Sequence, residues 1–240
     1  MKTNSEHYKI ISFGQRRRKT SRKTERGNAL LYVLIAIALF AALSFTLSRN
    51  SDNTEAGSLT EDRAKLYASQ LTSYAAQAKS AVDQMLFQGA QIDQLDFTLP
   101  SEATFNTAPT IYKVYHPDGG GLIPAQIPEN ATNEISTTPP AGWYMGRFNN
   151  VEWTPGTDQD VILTAYQITK PVCESINVMI TGDPAIPKIT SGDMSDYLVP
   201  DAPNTDLTST ECAGCNEYSS LCVSNNAESA YSFYNIIAAQ

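Results

Sequence analysis

Histidine is nearly missing from this chain, with two residues, His7 and His116, in 240. That shortage removes the side chain most often used as a general base near neutral pH. Positive charge is also scarce beyond the first 27 residues. Residues 1–27 hold nine Lys or Arg and two acids, so the remaining 213 hold eight basic and 23 acidic residues, a net of −15. An acidic body of this kind lacks the basic surface that nucleic-acid binding needs. The run Gly119-Gly120-Gly121 lacks the Lys and the helix start of a phosphate loop. Cysteine is limited to Cys173, Cys212, Cys215 and Cys222. One stretch lacks charge, glycine and proline altogether: Ala29–Leu47, ALLYVLIAIALFAALSFTL.

That stretch divides the chain. Nineteen helical residues span roughly 28 Å, close to the apolar core of a bilayer, and a helix apolar on every side is buried in lipid or in a packed fibre. Residues 1–27 form a basic polar leader, and a basic flank before an apolar helix stays cytoplasmic. The acidic remainder is then extracytoplasmic. This predicts a single pass through a bacterial inner membrane, with the C-terminal domain outside. Arg16–Lys19 could be taken for a nucleic-acid arm, but its place directly before the apolar run makes it topogenic.

The junction reads Glu25-Arg26-Gly27-Asn28-Ala29-Leu30-Leu31-Tyr32. A basic leader ending in glycine, followed at once by an apolar helix, resembles the prepilin-type signal of type IV pilins and of type II secretion pseudopilins. The resemblance covers about residues 22–48. It implies that a prepilin peptidase cuts between Gly27 and Asn28, and that Asn28 becomes an N-methylated first residue. It also implies assembly with other pilin-like subunits through Ala29, Leu30, Leu31, Tyr32, Val33, Leu34, Ile35 and the residues that follow. Two departures stand out. The family usually has Phe or Met first and Glu fifth, whereas this chain has Asn28 and Tyr32. They favour a minor or divergent subunit over a standard major pilin. Two other readings remain: an uncut signal anchor, and a signal peptide cut at Ala42-Leu43-Ser44, which would release a domain that binds a ligand or acts as an enzyme.

After a polar joint over Ser48–Thr54, Ser58-Leu59-Thr60-Glu61 fits a capping box. Tyr67, Leu71, Tyr74, Ala78, Val82 and Met85 then recur at helical spacing, and Gly89 is a stop signal. The spacing predicts an amphipathic stalk over 49–89 and a β-rich head over 90–240. In the head, strands are expected at Ile111–Tyr115, Trp143–Phe148, Val151–Trp153, Asp160–Ile168 and Ser229–Ala238. The hairpin is placed at Asn149-Asn150, and the VILTAYQI run is assigned to a central strand. Pro171, with Val172, Ile176 and Met179 at helical spacing, predicts a short helix ending at Gly182. Residues 122–142 and 183–206 read as loops. The expected fold is α+β: a long N-terminal helix, part membrane-spanning and part amphipathic, followed by a small antiparallel sheet of about four strands with long loops.

All four cysteines follow the apolar run, so an oxidising space and disulfides are expected. Four cysteines allow three pairings. Pairing across elements would tie segment 207–224 to the short helix through Cys173, with the partner open. Cys212-Ala213-Gly214-Cys215 is a CxxC, but it lies in a polar loop and not after a strand at a helix start. The spacing of Cys215 and Cys222 does not suit zinc. His116 before Pro117 reads as a turn residue. Asp193, Asp196, Asp201 and Asp206 lack the regular spacing of a calcium loop and read as solvated. No catalytic residue, metal or cofactor is expected. The sequence reads as a structural fibre subunit.

Overall fold

The computed structural model describes residues 28–200 and 204–240, and within the first helix the side chains of 31–42 and of 60 onwards. The leader, with Gly27 and its cleavage boundary, lies outside the described residues, as does Asp201. The chain divides into two compact units, one ending at Thr54 and the other spanning Glu55–Gln240.

Helix α1 covers Asn28–Phe87. Ser58 therefore lies inside the helix, and the expected capping box does not mark a start. In the second unit the predicted stripe faces the core: Leu71, Tyr74, Ala78, Val82 and Met85 are buried, Tyr67 is half-buried against them, and Ala64, Ala68 and Ala75 are buried beside them. Several of these are alanines, which lets a helix lie close to a sheet. The stop is at Gly89, with φ +100°. Gly89 N–H donates to Leu86 O at 3.0 Å and Ala90 N–H to Met85 O at 3.1 Å. These are the two bonds of a Schellman motif, which requires a left-handed residue at that position.

The architecture is α+β, with a five-stranded mixed sheet in the order β1-β2-β5-β4-β3. The strands are β1 Gly142–Asn149, β2 Asp160–Ile168, β3 Lys188–Ile189, β4 Ser220–Asn225 and β5 Tyr231–Ala238. All neighbours are antiparallel except β3 and β4. The sheet is thus larger than the expected four strands and not wholly antiparallel. β2 is buried at all nine positions because both sheet faces are covered. Val161, Leu163 and Ala165 share one cluster with α1 and with α2 (Lys170–Thr181). Ile162 and Tyr166 share the other with α3 (Met194–Leu198) and the segment through Cys212 and Cys215. α2 begins with Pro171 in its first turn and ends at Gly182, φ +81°, as expected.

Three expectations need correction. Ile111–Tyr115 is not a strand but a set of turns around one bridge, Asp96 to Lys113. The Lys113 carbonyl is taken by the N–H groups of His116 and Gly120, at 3.2 and 3.1 Å. Gly119 and Gly120 permit this closeness: a Cβ on Gly119 would sit 2.2 Å from Lys113 O. Val151–Trp153 is not a strand either. The hairpin partner of β1 is β2, and Asp160 folds the connection back by accepting from Val151 N–H at 2.9 Å and Thr154 Oγ1 at 3.0 Å. The loop expected at 183–206 contains β3 and α3. Met179, at helical spacing with the buried Val172 and Ile176, is itself 54 % exposed.

Two buried amides bond backbone groups that no strand ladder reaches. β3 pairs with Ser224 and Asn225 of β4 and does not extend to Cys222. There the Asn177 side chain acts as the missing strand: Oδ1 accepts from Cys222 N–H at 2.8 Å and Nδ2 donates to Cys222 O at 2.9 Å. Gln167 sits at a β2 irregularity with φ +59°. Its Oε1 accepts from Ile135 and Ser136 N–H at 2.6 and 2.9 Å, and its Nε2 donates to Ser136 and Pro139 carbonyls at 2.7 and 2.9 Å. Gln167→Ala removes all four bonds and keeps the unfavourable φ. A loss of about 2–4 kcal/mol is expected by chemical denaturation, since unmet buried groups cost more than a hydrogen bond gains. A loss under about 0.5 kcal/mol would show that the clamp is idle.

Asp160 also gives the fold a pH dependence. It is fully buried, and burial pushes its carboxyl up against the lowering effect of bonds from Val151, Thr154 and Gln240, with Asp206 adding like charge. A raised folded-state value means that the native state holds this proton more tightly than the unfolded chain. Its contribution is full below the unfolded value and falls as pH rises through the folded one. The stability of wild type relative to Asp160→Asn should therefore decline as pH rises from about 4. A relative stability that climbs over that range would contradict the assignment.

Candidate assembly surface

All twelve side chains from Leu31 to Ala42 are exposed. Phe40 is 77 % exposed, Tyr32 65 %, Leu34 58 % and Ile35 47 %. Monomeric soluble proteins rarely leave a continuous apolar surface of this kind uncovered. Val33, Ala36, Ile37, Phe40 and Ala41 line one shallow depression along the helix, at the i, i+3, i+4, i+7, i+8 positions of a single face. Alanines between larger residues let a second helix approach closely. Asn28 opens α1; its side chain and those of Ala29 and Leu30 are outside the described set. Among the described residues no helix is long and apolar enough to cross a membrane. The described side chains of the apolar run stop at Ala42, short of its end at Leu47.

The cysteines form two disulfides. Cys173 of α2 pairs with Cys222 of β4, a separation of 49 residues, so the cross-element bridge expected at Cys173 is present. Cys212 pairs with Cys215 inside a single turn. All four are fully buried. Zinc needs thiolates, and these sulfurs are bonded to each other. The CxxC occupies a short 3-10 turn, Ala213–Cys215, packed under the sheet, which is neither the helix start nor the exposure of a reactive pair.

No family model matches this chain. Comparison with curated proteins and with solved structures likewise returns no match.

The other polar candidates have structural roles. His116 Nδ1 accepts from Asp118 N–H at 3.1 Å, and its ring lies 4.9 Å from that of Phe105. Asp193 and Asp196 form a capping box on α3, and Asp206 accepts from Asn150 N–H at 3.0 Å. Among the described residues no group of three His, Cys, Asp or Glu side chains is placed to hold a metal ion. One surface was not anticipated from the sequence: a groove of about 1010 Å³ where residues 60–65 of α1 meet α2 and Pro184. Its walls are more than a hundred residues apart in the chain. The only hint was the run Val178-Met179-Ile180, too apolar for a helix with one buried face.

Proposed function

We propose that this chain is a structural subunit, of the minor or divergent kind, of a type IV pilus-like or type II secretion pseudopilus fibre. The observation that supports the reading is the uncovered apolar run of α1, uncharged from Ala29 to Leu47 and exposed throughout its described part. Such a helix needs a partner surface, and lipid before assembly and sister helices after it would both serve. The basic leader ending at Gly27 supplies the processing signal. Residues 64–85 of α1, packed on a disulfide-bonded α+β head, supply a part suited to an oxidising exterior.

In this reading the peptidase cuts after Gly27, the subunit waits in the inner membrane, and assembly exchanges lipid for helix contacts. N-terminal sequencing and intact mass of the mature protein test it. A chain beginning at Asn28, with or without one added methyl group, is the expected result. A chain beginning beyond Ser44, or an intact Met1, would remove the fibre reading.

A further inference from the structure

We infer that the groove between α1 and α2 is the seat for the apolar helix of a second copy of this chain, an inference that rests on the fibre reading and names the surface it uses. Ala64 of α1 and Pro171, Val178, Met179 and Pro184 form the apolar part of the groove. Val178 and Met179 are 45 % and 54 % exposed there. Charge decides among occupants. The carboxylates at the rim are answered on their own helices: Glu61 by Lys65 at 2.8 Å and Glu174 by Lys170 at 3.8 Å. Neither a basic nor an acidic peptide meets an unanswered charge at these pairs, so the complement of the groove is an uncharged apolar rod. The chain carries such a rod in Ala29–Leu47, whose described side chains are all exposed.

The two surfaces differ, so the contact is head-to-tail. Each copy offers one rod and one groove, and repetition without closure gives an open filament and not a closed dimer. The groove wall runs from Pro171 to Met179, about two helical turns, so each contact takes about two turns of the incoming rod.

The test uses the full chain in intact cells that process and assemble it, with the photoreactive residue p-benzoylphenylalanine substituted at Met179. Irradiation should give a crosslinked dimer whose joined peptide lies within Ala29–Leu47 of the second copy. A crosslink to any other segment or protein, or none, overturns the inference. Val178→Asp and Met179→Asp, each at an exposed site, should leave processing, membrane fraction and melting temperature unchanged while lowering the multimer by about tenfold or more. Multimers at wild-type abundance in both variants overturn this inference alone. Absence of any wild-type multimer overturns the fibre reading as well.

Discussion

Replacing Cys173 and Cys222 together by alanine should cost the head about 4 kcal/mol, and replacing Cys212 and Cys215 only about 2 kcal/mol. The difference follows from what each bond denies the unfolded chain. The first closes a loop with ends 49 residues apart, the second a loop with ends three apart. In the chain-entropy model the cost of closing a loop grows with the logarithm of its length, so the long bridge stabilises by roughly twice as much. Native contacts sharpen the contrast. The long bridge joins α2 to β4 beside Cys222, where Asn177 already holds both backbone groups of that residue. Bond and amide thus secure the same junction, and removing both should not give additive losses. Trp143 and Trp153, both in the second unit, report unfolding by fluorescence under denaturant. Equal losses for the two cysteine pairs, or a larger loss for the short one, would refute the ranking.

What could be read in the sequence depended on how far apart the deciding groups lie. α2 was legible because Pro171 and Gly182 set its ends locally. The second half of α1 was legible because one stripe recurs over six turns, and Gly89 ends it through its own left-handed φ. β2 was legible because an apolar run covered on both faces needs no polar alternation. β4 was not, since Ser220, Cys222 and Ser224 give it the composition of a loop, and its pairing with β5 and its bracket from Asn177 are long-range. Ile111–Tyr115 misled in the opposite sense. Its composition is that of a strand, but the Lys113 carbonyl is spent on Gly120 and on closing the next turn. Met179 shows the limit of periodicity: spacing identifies a helical face, and the packed neighbour decides whether that face is covered. The apolar run stood out from sequence alone because nineteen uncharged residues need no context, whereas the groove between α1 and α2 exists only after folding.

Leu34→Asp should abolish assembly while leaving the head folded. Leu34 lies in the exposed apolar stretch and is 58 % exposed, so no core of the described chain depends on it. A carboxylate costs about 2.5–3.5 kcal/mol at the centre of a membrane helix on insertion scales and less toward the ends, and Leu34 lies four residues before the centre of the run. Buried against apolar neighbours in a fibre it has no partner, and an unpaired buried charge costs about 3 kcal/mol, which lowers a multimer population by roughly a hundredfold. Leu34→Met keeps the volume and the apolar character, and should assemble as wild type does. Both variants should show the wild-type melting transition by tryptophan fluorescence. The pair separates two explanations of the uncovered run. If its only role is to hold the chain in lipid, Leu34→Asp reduces the membrane fraction, and wild type shows no multimer to lose. If its role is assembly, the multimer falls further than the membrane fraction does, because the rod must match a sister surface at close range, while lipid adapts to a single polar group by thinning or by admitting water. Multimers of Leu34→Asp at wild-type abundance would leave the apolar run with no part in assembly.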